Sequence, residues 1–405
     1  MNEKTLYKLE FHKVRELLKH FALTDGGKGV IDTILPSADI ENVKTLQKET
    51  AEAITMSIKK GRIPLSNLKE VRQILKRVEI GAILSSSEIL SVRDILRISR
   101  QVKNYQKEER QKEVSYAYLD GYFDSLSLYS ALEKEIDRCI IGPEQFADSA
   151  TNELFQIRRQ MKAATAKIRE ALQGIIHSSR YHDMLQEAVI TMRRDRYCIP
   201  IKIEYKSQFK GIIHDQSSTG ATVFIEPLAV VELSNELKSL ETKEQEEIEK
   251  ILIDLTNEIA AITEFIKINY EALIKLDVIF ARSEFSLKYD CREPRLNDKG
   301  YLSLKRARHP LLDKETVVPI DIHLGREFTT LLITGPNTGG KTVALKTVGL
   351  FALMAAAGLQ IPAAEGSEVA VFEGIYADLG DEQSIEQSLS TFSAHMTNIV
   401  SILDH

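Results

Sequence analysis

Gly335-Pro336-Asn337-Thr338-Gly339-Gly340-Lys341-Thr342 fits G-x-x-x-x-G-K-[ST], the pattern of a loop that holds phosphate between a strand and a helix. The run before it, Phe328-Thr329-Thr330-Leu331-Leu332-Ile333-Thr334, is short, apolar and β-branched, which predicts a strand buried on both faces. After it, Lys341 to Ala357 is rich in Ala, Leu, Val and Met, contains no Pro and only Gly349 as a glycine, and is followed by Gly358, which predicts a buried helix. In that setting Gly335, Gly339 and Gly340 let the backbone turn successive N–H groups and the helix N-terminus toward a β-phosphate. Lys341 is then expected to meet the β- and γ-phosphates, and the Thr342 hydroxyl to ligate Mg²⁺. The expected ligand is ATP or ADP with Mg²⁺, since a plain strand-to-helix turn has no need of Lys-Thr at the helix start.

Composition bounds the rest. At 405 residues the chain has room for several domains with real cores. Its 43% hydrophobic and 28% charged content is that of a soluble globular protein. No run approaches the ~18 apolar residues of a membrane span, and Met1-Asn2-Glu3-Lys4 does not open an apolar leader, so no membrane partner is expected. Cys139, Cys198 and Cys291 are scattered singly, which excludes a Cys-rich zinc site and fits a reducing cytoplasm. A net charge of −6 gives no global nucleic-acid signal, so any basic surface must be local.

Glycine and proline divide the chain. From 146 to 173 there is neither, and Leu154, Ile157, Met161, Ala164, Ile168, Ala171 and Ile175 recur at alternating spacings of three and four, a coiled-coil seam. A second stretch, 228 to 293, has no Gly and no further Pro, and repeats Leu237, Leu240, Ile248, Ile251, Leu255, Ile259, Ile262 and Ile266 near the same period. As one helix of about sixty residues it would span roughly 90 Å, a rod or lever. Between the rods the period changes to two. Arg196 to Tyr205, Gly211 to His214 and Ala221 to Ile225 read as strands, with Ser217-Ser218-Thr219-Gly220 as a turn. Here Arg193, Arg194, Arg196, Lys202, Lys206 and Lys210 oppose only Asp195 and Glu204, a local +4 that offers a polyanion contact. Tyr197, Tyr205 and Phe209 stand among these cations and suit sugar or base packing.

Residues 1 to 145 read as several amphipathic helices, with Ser85-Ser86-Ser87-Glu88 as an N-cap signature. His12 and His20 have no partner set at ligand spacing and read as packing or surface residues. The chain has no G-x-S-x-G and no H-E-x-x-H, so hydrolytic chemistry other than nucleotide hydrolysis has no support, and no catalytic residue is assigned within it.

Asp378-Leu379-Gly380-Asp381-Glu382-Gln383-Ser384-Ile385-Glu386-Gln387-Ser388-Leu389-Ser390-Thr391-Phe392-Ser393-Ala394-His395-Met396, downstream of the glycine loop, resembles the ATPase domain of the MutS superfamily. Leu9-Glu10-Phe11-His12-Lys13-Val14 at the start, Arg196-Tyr197-Cys198-Ile199-Pro200-Ile201-Lys202, His214-Asp215-Gln216-Ser217 and Phe224-Ile225-Glu226-Pro227 are similar to the MutS2 branch, so the resemblance covers the whole chain. It implies a multidomain α and α/β protein. The expected parts are a helical core (1–145), a first lever helix (146–176), a small β clamp (177–227), a second lever helix (228–292) and part of a P-loop ATPase domain (293–405).

The same resemblance implies that Asn337 and Thr338, with the rest of 335–342, position the nucleotide phosphates. It gives Ser390 the role of reaching the γ-phosphate held by the opposite subunit of a homodimer. Val317 and Val318 stand where relatives contact adenine, and Arg308-His309-Pro310 reads as a structural entry into the ATPase domain. The family picture is a clamp that acts on branched DNA to suppress recombination, or on stalled or collided ribosomes through rRNA. An SMC-like scaffold is a third class, in which the phosphate loop precedes the coiled coil instead of following it. The resemblance also implies a later acidic strand and a C-terminal Smr endonuclease module, neither found before His405. The chain therefore reads as a fragment expected to bind nucleotide and to hydrolyse it poorly.

Overall fold

The computed structural model of the chain describes residues 3–110, 115–336, 339–379, 396 and 399–400, with the side chains of 108–110 left aside. Eight helices come first: α1 (Glu3–Lys8), α2 (Phe11–Lys19), α3 (Asp25–Asp32), α4 (Ile40–Lys60), α5 (Arg72–Glu79), α6 (Ser86–Arg110), α7 (Asp120–Ser125) and α8 (Ser130–Cys139). A short hairpin, β1 (Ile140–Gly142) and β2 (Gln145–Phe146), leads to α9 (Asn152–Ile176). Four strands follow, β3 (Thr191–Arg193), β4 (Arg196–Lys202), β5 (Gly211–Gln216) and β6 (Thr222–Pro227), and then α10 (Leu228–Ala261) and α11 (Thr263–Lys288). The last elements are β7 (Arg295–Asn297), β8 (Leu302–Ala307), β9 (Ile320–Leu324), α12 (Lys341–Ala356) and β10 (Glu368–Ala370). Two compact units gather them. One is Met1–Gln73, Asp94–Ser130 and Glu264–His405, and the other is Ile74–Arg93 with Ala131–Thr263.

In the second unit, α9 and α10 run antiparallel. Arg158 Nε donates to Glu244 at 2.7 Å and Thr151 Oγ1 to Glu247 at 2.8 Å near one end, while Ile168, Leu172 and Ile176 share a core with Val230 near the other. Thr151 also caps α9, its Oγ1 accepting the Leu154 N–H. The buried seam of α9 is Leu154, Ile157, Ala164, Ile168, Leu172 and Ile176, so it leaves the expected Ala171 and Ile175 for their neighbours. A straight helix drifts about 20° per heptad from a seven-residue repeat, which over three heptads moves the buried stripe by more than half a residue. The capping signature before α6 is present as a reciprocal box: Ser85 N–H donates to the Glu88 carboxylate at 2.9 Å, and Glu88 N–H to Ser85 Oγ at 3.4 Å.

The expected sixty-residue helix is two helices. Ile262 leaves the helical region (φ −122°, ψ 13°), its N–H turning back to Ile259 O, and the break falls beside the Thr263/Glu264 boundary of the two units. The 34 residues of α10 span about 51 Å at 1.5 Å per residue. Apolar periodicity runs through the break, so nothing in the pattern marks it.

The four strands after α9 form an antiparallel sheet in the order β3-β4-β6-β5. Period two holds: Ile199, Ile201, Val223 and Ile225 face the core made with α9 and α10. In the first unit a second sheet has the order β7-β10-β8-β9, with β10 parallel to β7 and antiparallel to β8. α12, apolar on every side, is buried from Leu350 to Ala356. The strand expected at Phe328–Thr334 does not form: the segment is irregular, with Leu331 42% and Leu332 83% exposed. A strand buried on both faces exists only between neighbours, and none of the described strands pairs with this one.

Candidate functional site

The glycine loop enters α12 through two backbone conformations that favour glycine, Gly335 at φ 144° and Gly340 at φ 78°. Gly340 is the N-cap, its carbonyl accepting the Ala344 N–H at 2.9 Å, and Gly339 N–H turns back to Pro336 O at 3.0 Å. An α-helix leaves its first N–H groups without intrahelical partners, and here that end is solvent-exposed. Lys341 folds over the loop, its Nζ donating to Gly335 O at 2.5 Å and Pro336 O at 2.9 Å. The Thr342 hydroxyl is exposed and makes no hydrogen bond among the described residues, so it is available to a cation. Asn337, Thr338 and Ser390 lie outside the described residues. Of the two valines, Val317 lines a cavity beside Pro310 and Leu312, whereas Val318 is 78% exposed.

The remainder of α12 is anchored. Leu9 packs against Gly349, where a methyl group would come 2.7 Å from Leu9 Cδ1, which explains the one glycine inside the helix. Glu10 reaches Lys346 on α12 at 3.5 Å and Lys13 at 2.7 Å. At the C-terminus, Gly358 N–H donates to Ala355 O and Leu359 N–H to Met354 O, a Schellman cap with Gly358 left-handed at φ 78°. Gln47 Nε2 donates to Ala355 O (3.0 Å) and Leu359 O (2.8 Å), and Thr50 Oγ1 to Gly358 O (2.8 Å). Behind them, Arg282 Nη2 donates to Glu49 at 3.0 Å with both side chains buried, and Tyr122 OH donates to the other Glu49 oxygen at 2.7 Å. Burial, with the Glu49 carboxylate beside it, pushes the Tyr122 hydroxyl up to about 12. None of these anchoring groups was singled out in the sequence, because Gln47, Glu49, Thr50, Tyr122 and Arg282 converge from three distant segments.

The six cations of 193–210 are not one patch. Arg194 and Asp195, both left-handed (φ 50° and 59°), form the two-residue turn between β3 and β4, in which Arg193 faces Arg196. Arg193 lies over the Phe224 ring at 4.1 Å and 3.5 Å from Asp215. Arg196 donates to Asn235 at 2.8 Å and to the fully buried Glu226 at 3.4 Å, which also meets His214 at 2.7 Å. Lys202 stands at the far end of β4, about 20 Å away at 3.3 Å per residue, and donates to Asp183 O. Arg194, Lys206 and Lys210 are exposed and hold no partner among the described residues. Of the aromatic residues, Phe209 is 6% exposed and packs edge-on to Tyr181, and Tyr197 and Tyr205 are partly buried against the same core. Tyr197 is in β4, whereas Tyr205 and Phe209 lie in the turns after it, which fold back over the sheet's core.

No helix among the described residues is long and apolar enough to cross a membrane. Residues 331–405 match the family model for MutS domain V. The chain is similar over its whole length to curated proteins named endonuclease MutS2, with 49% identity to those of Lachnoclostridium phytofermentans and Acetivibrio thermocellus and 46% to that of Geobacillus sp. strain WCH70. Each comparison covers 100% of this chain and 51% of the relative, so the chain spans about half the length of the curated relatives it matches.

Proposed function

The chain belongs to the MutS2 family, and on that premise we propose that it binds ATP or ADP with Mg²⁺ at 335–342 and contacts DNA through its small β-sheet. The observation that carries the nucleotide reading is the exposed start of α12, where left-handed Gly340, Lys341 and an uncommitted Thr342 hydroxyl meet at one helix N-terminus. Phosphate binding draws the Lys341 ammonium off the Gly335 and Pro336 carbonyls, and Thr342 Oγ1 offers the cation a ligand. The metal supplies charge neutralisation between the β- and γ-phosphates when bound. Asn337 and Ser390 complete the site in this reading, Ser390 across a homodimer.

Calorimetric titration with Mg²⁺·ADP tests it. The expected result is one saturable binding event that is lost in Lys341→Ala, and equal binding in the two chains would refute the loop as the site. For DNA, the uncommitted cations Arg194, Lys206 and Lys210 support the reading, with Arg193, Arg196 and Lys202 already tied to protein acceptors. A four-way junction should bind with a salt slope that falls by about one phosphate contact for each of these three cations replaced by Gln. An unchanged slope in the triple variant would move the contact elsewhere. Action on branched DNA in recombination, among relatives named endonucleases, is the activity this reading places the chain in.

A further inference from the structure

A cavity of about 510 Å³ in the first unit shares no residue with the glycine loop. Its polar wall is Lys288, Arg292, Arg306, Arg308 and Lys314, opposed only by Asp290. Lys314 pairs with Asp290. The other four cations have no carboxylate partner among the described residues, an excess of positive charge gathered in one concave place. It is felt locally: the Lys314 ammonium, with Arg292 and Arg308 beyond it, holds the Asp290 carboxyl below the usual carboxylate range.

Backbone geometry builds this wall. In β8, Leu302 and Leu304 face the core, so simple alternation would turn residue 306 inward as well. A bulge between Leu304 and Ala307 breaks the phase, with Arg306 left-handed at φ 48° and its N–H held by Asp321 at 2.7 Å. Ala307 takes the core position instead, and Arg306 stays exposed on the cavity wall. Bulges of this kind re-aim a side chain beside functional sites, and a left-handed arginine is a conformation that folding alone disfavours.

His309 closes part of the same wall. It lines the same cavity, is 5% exposed, and its Nδ1 accepts the Leu311 N–H at 3.4 Å. That bond places the ring proton on Nε2, which is buried and has no partner among the described residues. That nitrogen is closed off from the cavity, so the ring takes part in the wall without offering its N–H to it. The remaining wall, Pro310, Leu312 and Val317, is apolar.

We infer that this cavity is a second ligand site, separate from the loop, for a phosphate-bearing small molecule. The Arg292, Arg306 and Arg308 guanidinium groups receive the phosphate, and Pro310, Leu312 and Val317 pack its organic part. The volume is that of a small-molecule pocket, roughly 300–1,000 Å³. A bare ion would need neither that size nor an apolar wall, and a nucleic-acid duplex presents its phosphates on a convex surface that cannot fill a cavity.

Titration calorimetry and phosphorus NMR with inorganic pyrophosphate and with ADP, on the 405-residue chain, test the assignment. The Lys341→Ala chain is expected to retain one pyrophosphate site. Adding Arg306→Gln and Arg308→Gln should weaken that site about ten- to hundred-fold, the effect of losing charge-assisted hydrogen bonds, with the melting temperature preserved because both side chains lie at least partly in solvent. The inference is overturned if Lys341→Ala removes all binding, which is also the outcome if the adenine of a loop-bound nucleotide fills the cavity. Unchanged affinity in the arginine variant overturns it as well. Displacement of pyrophosphate by a short single-stranded oligonucleotide would replace the small molecule with a nucleic-acid backbone and sink the assignment as stated. If the loop binds nothing, wild type and Lys341→Ala bind alike and respond only to the arginines, which refutes the loop reading and supports this one.

Discussion

The two ends of α12 are built from opposite materials. At the C-terminus the last carbonyls are taken by a Schellman cap and by Gln47 and Thr50, and the buried Arg282–Glu49–Tyr122 chain stands behind them. At the N-terminus the loop is exposed, glycine is left-handed twice, and the Thr342 hydroxyl has nothing to bind among the described residues. One end is complete without a ligand and the other is left for one. The helix is thus held as a fixed post from its far end, which lets its near end stay exposed without fraying the whole element.

This contrast can be broken experimentally, and the largest effect belongs to the complete end. Arg282→Met strips the partner from a buried carboxylate and should lower unfolding free energy by about 3–5 kcal/mol in denaturant titration. Pairing it with Glu49→Leu should recover much of the loss. A single-variant cost under about 1 kcal/mol would mean that this end is not what fixes the helix. Gly358→Ala comes next, at about 1–3 kcal/mol, because φ is 78° and the new methyl would overlap Arg282 Nη1. The middle of the helix is probed by His309, whose electrostatic surroundings include Lys346. Burial holds its imidazole below the usual range, so the unfolded chain binds a proton that the folded chain refuses. Stability from this group is therefore full above the unfolded pKa near ~6.5 and is lost as pH falls, and His309→Gln should flatten that acid slope in melts between pH 8 and 5. Smallest is Lys341→Ala at the open end, within about 0.5 kcal/mol of wild type without ligand. With Mg²⁺·ADP at a hundredfold over the loop's Kd, the wild type should gain about 2.7 kcal/mol more than the variant.

Local rules read well where neighbours in sequence decide the outcome. The start of α12 after Gly340, the Ser85–Glu88 capping box and the alternation of Ile199, Ile201, Val223 and Ile225 all follow from spacing and residue type. What spacing could not give depends on distant chain. Phe328–Thr334 has the composition of a central strand but no described neighbour to pair with. Ile262 interrupts a pattern that is apolar on both sides of it. At the candidate sites, charge counting found the cations of 193–210 but not that Arg196 is committed to Glu226 and Asn235. The bulge at Arg306, which turns an arginine outward from a core-facing position, has no sequence signature at all.

The sheet beside α12 closes only after α12 itself has been made. β10 pairs in parallel with β7, joining Glu368 to Arg295 and Ala370 to Asn297, and it also contacts β8. A chain emerging from its N-terminus makes the glycine loop before it makes the strand that sits between β7 and β8. Until residue 370 is available, β7 and β8 have no strand between them and the loop between 335 and 342 hangs on an open scaffold. Loop closure over that span costs little free energy per added residue, but it must come first. The sheet beside α12 is therefore completed in one step after the helix has been made, instead of gradually as the helix grows.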